Sequence, residues 1–419
     1  ENLMVRAEII TIGDEILYGQ ILDTNTQWIS FELDKLGIKT IRKSSVGDSA
    51  EEITAILNES KSRADVVFIT GGLGPTKDDL TKKVLADFFN CASEMNANAL
   101  KDVTEFFLKR GRELTDINRG QALLPTKAQF IPNKQGTAPC MWFDEFGVIW
   151  VSMPGVPFEM KAIMENEVIP KLVSHFKTPI IYHKVIKTIG IGESYLSDLI
   201  QDRELSLPKH IKLAYLPSLG IVKLRLTAFG DDLETLKADV EAQIAFLRPM
   251  INSYIFGYDK DEISEVVGQL LLKNKATLAL AESCTGGHLS HQFTQISGCS
   301  EYFIGGVISY SNEIKKEILQ VSDSILNIDG AVSESCVSAM AKSIREKFKS
   351  TYGMATSGIA GPAGGSVEKP VGTVWIALAS EGEVITRKLQ LGGNRMQNIH
   401  MTSLNSLNLI RRYLLKDLS

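Results

Sequence analysis

Apolar and polar positions alternate along the chain in a way that predicts three folded regions. From Met4 to about residue 169, short apolar runs such as AEIITIG and DVVFITGG are followed by amphipathic stretches such as TNTQWISFELDKLG. An alternation of strands and helices is typical of βαβ units. We therefore expect the first region to be a parallel sheet with helices on both faces.

The pattern changes twice further along the chain. Between residues 178 and 256, the strand-like runs YHKVIKTIG, IKLAYLPS and GIVKLRLTAFG, together with two helical stretches, predict a small α+β module. From about residue 261, an amphipathic helix, the apolar strand ATLALA and a long C-terminal helix predict a second α/β region. The predicted fold class is multidomain α/β, with domains at residues 4–172, 173–257 and 258–419.

Composition narrows the classes of function. The chain has 419 residues, enough for two or three cores at roughly 150 residues per domain. Its 45 Lys and Arg against 50 Asp and Glu give a net charge of -5, which argues against a protein that coats nucleic acid. No apolar run approaches the ~20 residues of a membrane-spanning helix, and the N-terminus lacks a signal-peptide pattern. We expect a cytoplasmic protein without a membrane partner.

The positions of cysteine and histidine limit the chemistry. The five cysteines contain no CxxC pair, so the sequence predicts neither a disulfide framework nor a zinc knuckle. No histidine precedes His175. Chemistry in the first region must then use carboxylates, hydroxyls, lysine or arginine, and a cation bound by oxygen ligands is favoured over one bound by histidine.

A glycine turn in the first region predicts an anion site. In DVVFITGGLGPTKDD, Gly71, Gly72 and Gly74 lie between a strand and a helix, where backbone N–H groups and the positive helix end favour a phosphate. The motif matches neither the dinucleotide-binding fingerprint nor the P-loop. On their own, Asp78 and Asp79 are better explained as first-turn acids that complement the helix dipole.

A second polar cluster supports the prediction of an anion site at the glycine turn. The segment IGDEILYGQILDTN places Asp14, Glu15, Asp23 and Asn25 just after the first strand. Ligands of open α/β sheets bind at the carboxyl edge of the strands, where we expect this cluster and the glycine turn to meet. The set of carboxylates around a glycine turn favours a phosphate site with a divalent cation.

Four segments of the first region resemble a known family. ITIGDEIL, TGGLGPTKDD, PNKQGTAP and MPGVPFEM are similar, in order and spacing, to the molybdopterin-binding-like domain of the CinA family of competence/damage-inducible proteins, and the resemblance continues through the whole chain. It implies a three-layer α/β fold like that of MoaB and MogA. It also implies hydrolysis of ADP-ribose to AMP and ribose 5-phosphate with Mg, Mn or Co as the cation.

The resemblance also assigns residues. Those it places at the nucleotide and phosphate site are Asp14, Glu15, Asp23, Asn25, Gly71, Gly72, Gly74, Asn133 and Gly136, and those it places at the metal are Asp78, Asp79 and Glu159. One position departs from the family pattern, because PNxxGTAPG ends here in Cys140. If that glycine needs a positive φ, the geometry of the loop is in question.

The middle region resembles the KH-type module of the same family. Its βαββα order and the segment TIGIGESYL carry the resemblance. A KH domain binds nucleic acid through a GXXG loop in basic surroundings. The sequence Gly190-Ile191-Gly192-Glu193 is one residue too short and carries an acid. A packing or dimer-contact module is therefore favoured over nucleic-acid binding.

The third region carries a candidate nucleophile. In ATLALAESCTGGHLSHQF a buried strand is followed by Ser283 in a tight turn, and Thr285, Gly286 and Gly287 open the next helix. Backbone N–H groups at such a helix start can hold an oxyanion. From this stretch alone, however, Ser283 is better explained as an N-cap.

Three further segments favour catalysis. ISYSNEIKKEIL brings Tyr310 and Lys315, SGIAGPAGGSVEKPVGTVW brings a second glycine-dense loop, and LGGNR brings Arg395 to a helix start. His288 and His291 lie along the helix after Ser283 and are better explained as surface residues. A lysine can act as the general base if burial lowers its pKa, although the pair Lys315 and Lys316 is also typical of a solvated helix face. Cys284 is an alternative nucleophile that we expect to pack against the sheet.

These segments resemble the nicotinamide mononucleotide (NMN) deamidase domain of CinA proteins and of the free-standing deamidase PncC. AESCTGG, YSNEIK, GAVSE, SGIAGPAGG and KPVGTVW carry the resemblance. It implies hydrolysis of NMN to nicotinate mononucleotide and ammonia, with Ser283 as nucleophile, Lys315 as general base, Tyr310 assisting and no cofactor. The residues it places at the substrate are Thr285, Gly286, Gly287, Gly358, Gly361, Gly364, Gly365 and Arg395, the last at the 5′-phosphate.

Three hypotheses follow from the sequence. The first is a bifunctional enzyme acting on NMN and ADP-ribose in pyridine-nucleotide salvage. In the second, the N-terminal domain is a nucleotide- or pterin-binding sensor that regulates the amidase. The third is a competence accessory protein acting on DNA, against which the net charge and the short KH loop argue. A homodimer is expected from the prevalence of two-fold symmetric assemblies among oligomers.

Overall fold

The computed structural model describes residues 4–76 and 79–417. The chain divides into two compact units, one of Glu1–Tyr182 with Phe229–Lys237 and one of His183–Ala228 with Ala238–Ser419. Asp78 lies outside the described residues. Among the helices that are described, none combines the length and the apolar character needed to span a membrane.

The N-terminal domain is an α/β structure. Its strands are β1 (Arg6–Ile12), β2 (Lys39–Val46), β3 (Val66–Thr70), β4 (Ser93–Met95), β5 (Leu123–Pro125), β6 (Gln129–Ile131), β7 (Cys140–Glu145) and β8 (Val148–Met153). Its α-helices are α1 (Asp14–Leu17), α2 (Thr24–Lys35), α3 (Ala50–Ser60), α4 (Thr81–Phe88), α5 (Ala97–Leu108), α6 (Asp116–Arg119), α7 (Pro157–Ile163) and α8 (Ile169–Phe176).

Six of these strands form one sheet in the order β2-β1-β3-β8-β7-β6. The strands β2, β1, β3 and β8 pair in parallel, as the sequence predicts. The prediction of a wholly parallel sheet is wrong at the other edge, because β7 pairs antiparallel with β8 and with β6. A two-residue turn at Phe146 and Gly147, with φ of 59° and 71°, joins β7 to β8, and a turn this short joins only antiparallel strands.

Both faces of this sheet are buried. On one face Ile10 and Ile69 pack in a cluster with Leu57 of α3 and Leu85 of α4. On the opposite face, side chains of β1 and β3 such as Phe68 pack in a second cluster with helices α2 and α7. Burial on both faces explains why the strands appear in the sequence as continuous apolar runs.

The middle module has the predicted α+β composition. Its elements are β9 (Ile180–Ile189), α9 (Glu193–Leu205), β10 (Ile211–Ser218), β11 (Ile221–Gly230), α10 (Leu233–Ile251) and β12 (Ile255–Tyr258). The sheet order is β10-β11-β9-β12. The antiparallel pair β10 and β11 turns at Leu219 and Gly220, where Gly220 has a φ of 77°.

The C-terminal domain is the second α/β region. Its strands are β13 (Leu278–Glu282), β14 (Phe303–Ile308), β15 (Tyr352–Gly358), β16 (Thr373–Ala379) and β17 (Val384–Gln390). Its helices are α11 (Ile263–Lys273), α12 (His288–Thr294), α13 (Asn312–Glu317), α14 (Asp323–Ile328), α15 (Glu334–Phe348) and α16 (Arg395–Leu414). The sheet order is β14-β13-β15-β16-β17, parallel from β14 to β15 and antiparallel beyond.

The strand ATLALA is covered on both sides, as its apolar sequence predicts. Ala279 and Ala281 of β13 belong to the cluster that contains Val337 and Met340 of α15. Leu278 and Leu280 point the other way, into a cluster with α11, α12 and α16. This three-layer packing fixes the carboxyl end of β13, where the chain continues into Ser283.

The short glycine loop of the middle module faces α16. A cavity of about 350 Å³ is lined by loop residues Gly190, Ile191 and Gly192 and by Met401 and Leu404 of α16. At the other end of this contact, Arg411 donates to the carbonyl oxygens of Ser253 and Ile255, at 2.8 and 2.9 Å. The module packs here on the C-terminal domain, in keeping with the packing role predicted for it.

Candidate active site

Ser283 lies in a tight turn at the end of β13. Its N–H donates to the carbonyl oxygen of Thr356 on β15 (3.0 Å), so the pairing of the two strands continues up to this residue. Beyond it the chain turns through Gly286 and Gly287, whose φ values are 56° and 99°. Such positive values favour glycine. The turn leaves the side chain of Ser283 at the edge of the sheet, 8% exposed.

Lys315 reaches Ser283 from α13. Ser311 caps this helix, accepting from the N–H of Ile314. Lys315 is 1% exposed, and its Nζ lies 3.1 Å from Ser283 Oγ. Burial lowers the pKa of Lys315 below the ordinary lysine value. The structure therefore brings the predicted nucleophile and the predicted base into direct contact.

Two main-chain oxygens complete the surroundings of the amine. Lys315 Nζ donates to the carbonyl oxygens of Ser309 and Tyr310, at 2.7 and 3.2 Å. The neighbouring Lys316 is exposed and pairs with Asp323 at 3.0 Å. Of the two lysines, then, only the second lies on a solvated face.

Cys284 lines the same cavity as Ser283 but is not suited to be the nucleophile, and the histidines lie elsewhere. Burial raises the pKa of Cys284 to about 12, so its thiol stays protonated at neutral pH. His288 bonds through Nδ1 to Ser403 on α16 at 2.7 Å, and its pKa is lowered by burial and by the nearby His400. In the described part of the chain, no histidine lines the cavity at Ser283.

A cavity of about 220 Å³ opens at Ser283. Its lining is formed by Ser283, Cys284, Tyr310, Asn312, Lys315, Ala331, Val332, Ser357, Gly358, Ala360 and Arg395. Five of these were predicted as site residues, namely Ser283, Tyr310, Lys315, Gly358 and Arg395. The other predicted substrate residues do not line the cavity, namely Thr285, Gly286, Gly287, Gly361, Gly364 and Gly365. Gly361 contacts the lining residue Arg395 through its carbonyl oxygen.

Arg395 and Tyr310 meet at the rim of this cavity. Arg395 donates through Nη1 to the carbonyl oxygen of Gly361 (2.7 Å) and through Nη2 to the hydroxyl of Tyr310 (2.8 Å). Tyr310 is 60% exposed. Since a guanidinium has five N–H groups, Arg395 keeps donors for an anionic group at the rim.

The turn after Ser283 offers three backbone donors. The N–H of Gly286 is already used, donating to the carbonyl oxygen of Ser283 at 3.1 Å. Among the described residues, the N–H groups of Cys284, Thr285 and Gly287 have no backbone acceptor, and the last two lie just before the start of α12. The side chain of Thr285 points away, to Glu282 and Thr356, so a substrate contact by Thr285 is limited to its main chain.

The N-terminal domain has a separate, larger cleft of about 520 Å³. The predicted site residues that line it are Glu15, Asp23, Asn25, Gly71, Gly72, Gly74, Asp79 and Glu159. Asn133 lies beside the cleft, donating to Glu159 (2.7 Å) and accepting from the N–H of Gly136 (3.1 Å). Asp14 is paired with Asp48, each carboxylate accepting the other residue's main-chain N–H.

Glycine is required in the turn that forms the floor of this cleft. Gly71 and Gly72 have φ values of 104° and 65°. A Cβ on Gly71 would lie 2.2 Å from the carbonyl oxygen of Ile12, and one on Gly72 would lie 2.1 Å from Thr81 Oγ1. The floor of the cleft is therefore formed by backbone at this point, as an anion site at a glycine turn requires.

Most carboxylates of the cleft already have protein partners. Asp23 caps α2, accepting from the N–H of Thr26 (3.0 Å) and from the hydroxyl of Thr11 (2.7 Å). Asp79 accepts from the N–H and the hydroxyl of Thr76, at 2.8 and 2.6 Å. Within residues 4–76 and 79–417, no group of three or more acidic, histidine or cysteine side chains is arranged to hold a metal ion.

Cys140 does not distort the loop that precedes it. It is a buried residue of β7, paired with Ile131, and it is not among the described residues with positive φ. A side chain is therefore compatible with the backbone at this position. The departure from the family pattern leaves the loop intact.

Family models match nearly the whole chain. Residues 8–174 match the model described as probable molybdopterin binding domain, residues 183–257 the damage-inducible protein CinA KH domain, and residues 260–414 the CinA C-terminal domain. A CinA-like protein of Cytophaga hutchinsonii is 52% identical over 413 residues, which are 99% of each chain. The chain belongs to the CinA family.

Other CinA proteins are similar to the whole chain or to part of it. A CinA-like protein of Flavobacterium psychrophilum is 43% identical over 419 residues, covering 99% of this chain and all of that protein. A crystal structure of a CinA superfamily protein from Klebsiella pneumoniae is 30% identical, covers 37% of this chain and 99% of its own, and has a TM-score of 0.36. The family and the multidomain α/β fold predicted from the sequence are confirmed.

Glu282, which positions the turn that carries Ser283, was missed by the sequence analysis of this CinA chain. Glu282, 1% exposed, accepts from the N–H groups of Leu289 and Ser290 at 2.8 and 3.0 Å, and from the hydroxyls of Thr285 and Ser290 at 2.7 and 2.6 Å. It ties the start of α12 to the end of β13 and so fixes the turn that carries Ser283. The signal in the sequence is the Glu that directly precedes the Ser-Cys-Thr-Gly-Gly turn.

We expect Glu282→Gln to lower the free energy of unfolding by about 2 to 4 kcal/mol, because bonds to a buried charge are lost and an amide N–H faces the backbone donors. Urea denaturation measures this change. The matched control is Glu301→Gln at an exposed position. A change below about 0.5 kcal/mol in Glu282→Gln would show that this carboxylate does not hold the turn.

Proposed function

We propose that this chain hydrolyses NMN to nicotinate mononucleotide and ammonia at the cavity of the C-terminal domain. The observation that carries the proposal is the buried contact of 3.1 Å between Lys315 Nζ and Ser283 Oγ. A buried amine beside a hydroxyl is the arrangement of a serine nucleophile activated by a lysine base. Resemblance of the surrounding motifs to NMN deamidases supplies the substrate.

The hydrogen bonds of Lys315 can serve both of its protonation states. As an ammonium it donates to three oxygens, Ser283 Oγ and the carbonyl oxygens of Ser309 and Tyr310. A neutral amine has two N–H groups and one lone pair, so the two carbonyl oxygens keep the N–H groups and the lone pair accepts from the hydroxyl of Ser283. Burial disfavours the charged form and so lowers the pKa of Lys315, which makes the neutral base available at a lower pH than for an ordinary lysine.

The reaction then proceeds in two halves. As Ser283 Oγ attacks the carboxamide carbon, Lys315 takes the hydroxyl proton, and the N–H groups of Thr285 and Gly287 stabilise the oxyanion. Lys315 then gives the proton to the nitrogen of the substrate carboxamide and the C–N bond breaks. Ammonia departs, and the acyl group remains on Ser283 as an ester. In the second half Lys315 deprotonates a water molecule, which attacks the ester carbon. The bond from that carbon to Ser283 Oγ breaks, Lys315 returns the proton to Oγ, and nicotinate mononucleotide is released.

The cavity has room for only part of the substrate. At about 220 Å³ it is smaller than pockets that enclose a whole drug-sized ligand, which are about 300 to 1,000 Å³. We propose that it takes the nicotinamide ring, while the ribose phosphate extends to the rim. Arg395 is exposed there and contacts the phosphate.

A direct assay tests the reaction. Intact protein is incubated with NMN, with and without a chelator, and the ammonia released is measured. We expect release in both conditions, because every step above uses side chains and main-chain groups of this chain. Absence of ammonia, or its loss on adding chelator, would contradict the proposal.

We also propose that the N-terminal cleft binds ADP-ribose and hydrolyses it with a divalent cation. The glycine turn at Gly71 and Gly72 and the carboxylates of Glu15, Asp79 and Glu159 support a phosphate ligand in this cleft. The described residues alone do not fit a metal centre, since no three ligands converge.

Measuring turnover of ADP-ribose distinguishes an enzymatic N-terminal domain from one that only binds its ligand as a sensor. ADP-ribose is mixed with the protein in the presence of Mg, Mn or Co, and AMP formation and binding are measured together. We expect AMP to form, and Glu159→Gln to lower its rate because Glu159 lines the cleft. Binding of ADP-ribose without formation of AMP would favour the sensor hypothesis instead.

Two further proposals concern partners. We propose that the protein is a homodimer, which light scattering tests, and that it does not bind DNA, which a salt-dependent DNA shift assay tests.

A further inference from the structure

The first turn of α16 is bonded to two loops of the C-terminal domain. Asn394 caps the helix in a capping box with Gln397, and Arg395 is the first helical residue. Asn398, the fourth residue of the helix, is 1% exposed although its side chain carries an amide. A buried amide is costly unless its donors and acceptor are used, so its bonds identify what it holds.

Asn398 uses all of its polar groups. Its Nδ2 donates to the carbonyl oxygens of Ala360 (3.1 Å) and Gly393 (2.9 Å), and its Oδ1 accepts from the N–H of Gly393 (3.1 Å). Two carbonyl acceptors on one side and an N–H donor on the other fix the orientation of the amide. The side chain joins the loop after β15 to the residues that precede α16.

The bonded loop is the one that Arg395 also contacts. Ala360 lines the cavity, and the next residue, Gly361, accepts from Arg395 Nη1 at 2.7 Å. Two consecutive carbonyl groups are thus bonded by two side chains of the first turn of α16. The position of the guanidinium at the rim depends on the position of this loop segment, which Asn398 holds.

We infer that Asn398 is a positioning residue that holds Arg395 for the substrate's phosphate and so sets the preference for NMN over its unphosphorylated nucleoside. The inference rests on the proposed function, because it assigns Arg395 to the phosphate. Asn398 does not line the cavity and acts through Ala360, Gly361 and Arg395.

The test measures binding rather than turnover. In a Ser283→Ala background, calorimetry gives the Kd of NMN and of nicotinamide riboside for Asn398→Ser and for the isosteric Asn398→Asp, which keeps the acceptor for Gly393. We expect either variant to raise the Kd of NMN by about tenfold or more and to leave that of the riboside within about twofold. The aspartate variant keeps the test open if the serine variant fails to fold.

The matched control is Asn405→Asp. Asn405 lies two turns further along α16, where its Nδ2 donates to the carbonyl oxygen of Met401 at 2.8 Å, and it does not line the catalytic cavity. We expect it to keep the wild-type preference. Equal loss of affinity for both ligands in the Asn398 variants, or no loss, would overturn the inference. So would a Ser283→Ala parent that does not distinguish NMN from the riboside.

The experiments distinguish a failure of the proposed reaction from a failure of the positioning role of Asn398. If the wild-type protein releases no ammonia from NMN but binds it with a preference that the Asn398 variants lose, the reaction is refuted and the positioning role stands. If ammonia is released while the Asn398 variants keep the preference, the reaction stands and the positioning role is refuted.

Discussion

Ser283→Ala should lower the rate of ammonia release from NMN by at least about 10⁴-fold, because the variant removes the atom that forms the acyl ester. The fold should survive, since the main chain of Ser283 makes the bonds to its neighbours: its N–H donates to Thr356 and its carbonyl oxygen accepts from Gly286. Steady-state ammonia release and a thermal melt of the same sample measure both expectations.

The adjacent thiol provides the comparison. Cys284 lies beside Ser283, and burial raises its pKa to about 12. We expect Cys284→Ala to keep ammonia release within about tenfold of wild type, since a protonated thiol is a weak nucleophile. Loss of activity in Cys284→Ala together with retention in Ser283→Ala would move the nucleophile to the cysteine.

Lys315→Met should lower ammonia release by about 10³-fold or more, since methionine has similar length and no group that accepts a proton. Lys315→Arg should be as inactive, because a guanidinium stays protonated. Lys315→Met should not unfold the protein, because methionine fills the buried space and removes an amine whose burial is costly. Lys316→Met is the matched control and should keep full activity, since Lys316 is exposed and its partner is Asp323.

The pH dependence has a defined sign. Burial lowers the pKa of Lys315 in the folded chain, so the neutral amine becomes available as pH rises through that lowered value. Activity should therefore rise with pH and level off below the ordinary lysine pKa of about 10.4. Between the two values the unfolded chain binds more protons, so the contribution of this group to stability also rises with pH.

Much of the C-terminal site was predictable from the sequence. The apolar strand before Ser283 and the positive-φ glycines after it follow from ATLALAESCTGG. The choice between Lys315 and Lys316 also has a signal: Leu319, four residues after Lys315 and just beyond the end of α13, is buried. A helix capped by Ser311 therefore turns Lys315 inward and Lys316 outward.

Other features depend on contacts that no local pattern encodes. Glu282 reaches N–H groups seven and eight residues ahead because Gly286 and Gly287 reverse the chain between them. The antiparallel edge of the N-terminal sheet depends on a Phe-Gly turn that lacks the usual Asn-Gly or Asp-Gly signal. In the N-terminal cleft, the resemblance places Asp23 at the phosphate and Asp79 at the metal, yet local Thr side chains and N–H groups occupy both carboxylates.

The central claim is that a neutral Lys315 activates Ser283 toward NMN. The measurement that tests it most directly is ammonia release from NMN, in chelator, by wild type and Lys315→Met side by side from about pH 6 to about pH 10. The account predicts a wild-type rate that rises with pH to a plateau and a variant rate near zero throughout. A variant that follows the wild-type profile, or a wild-type rate that falls across this range, would contradict it.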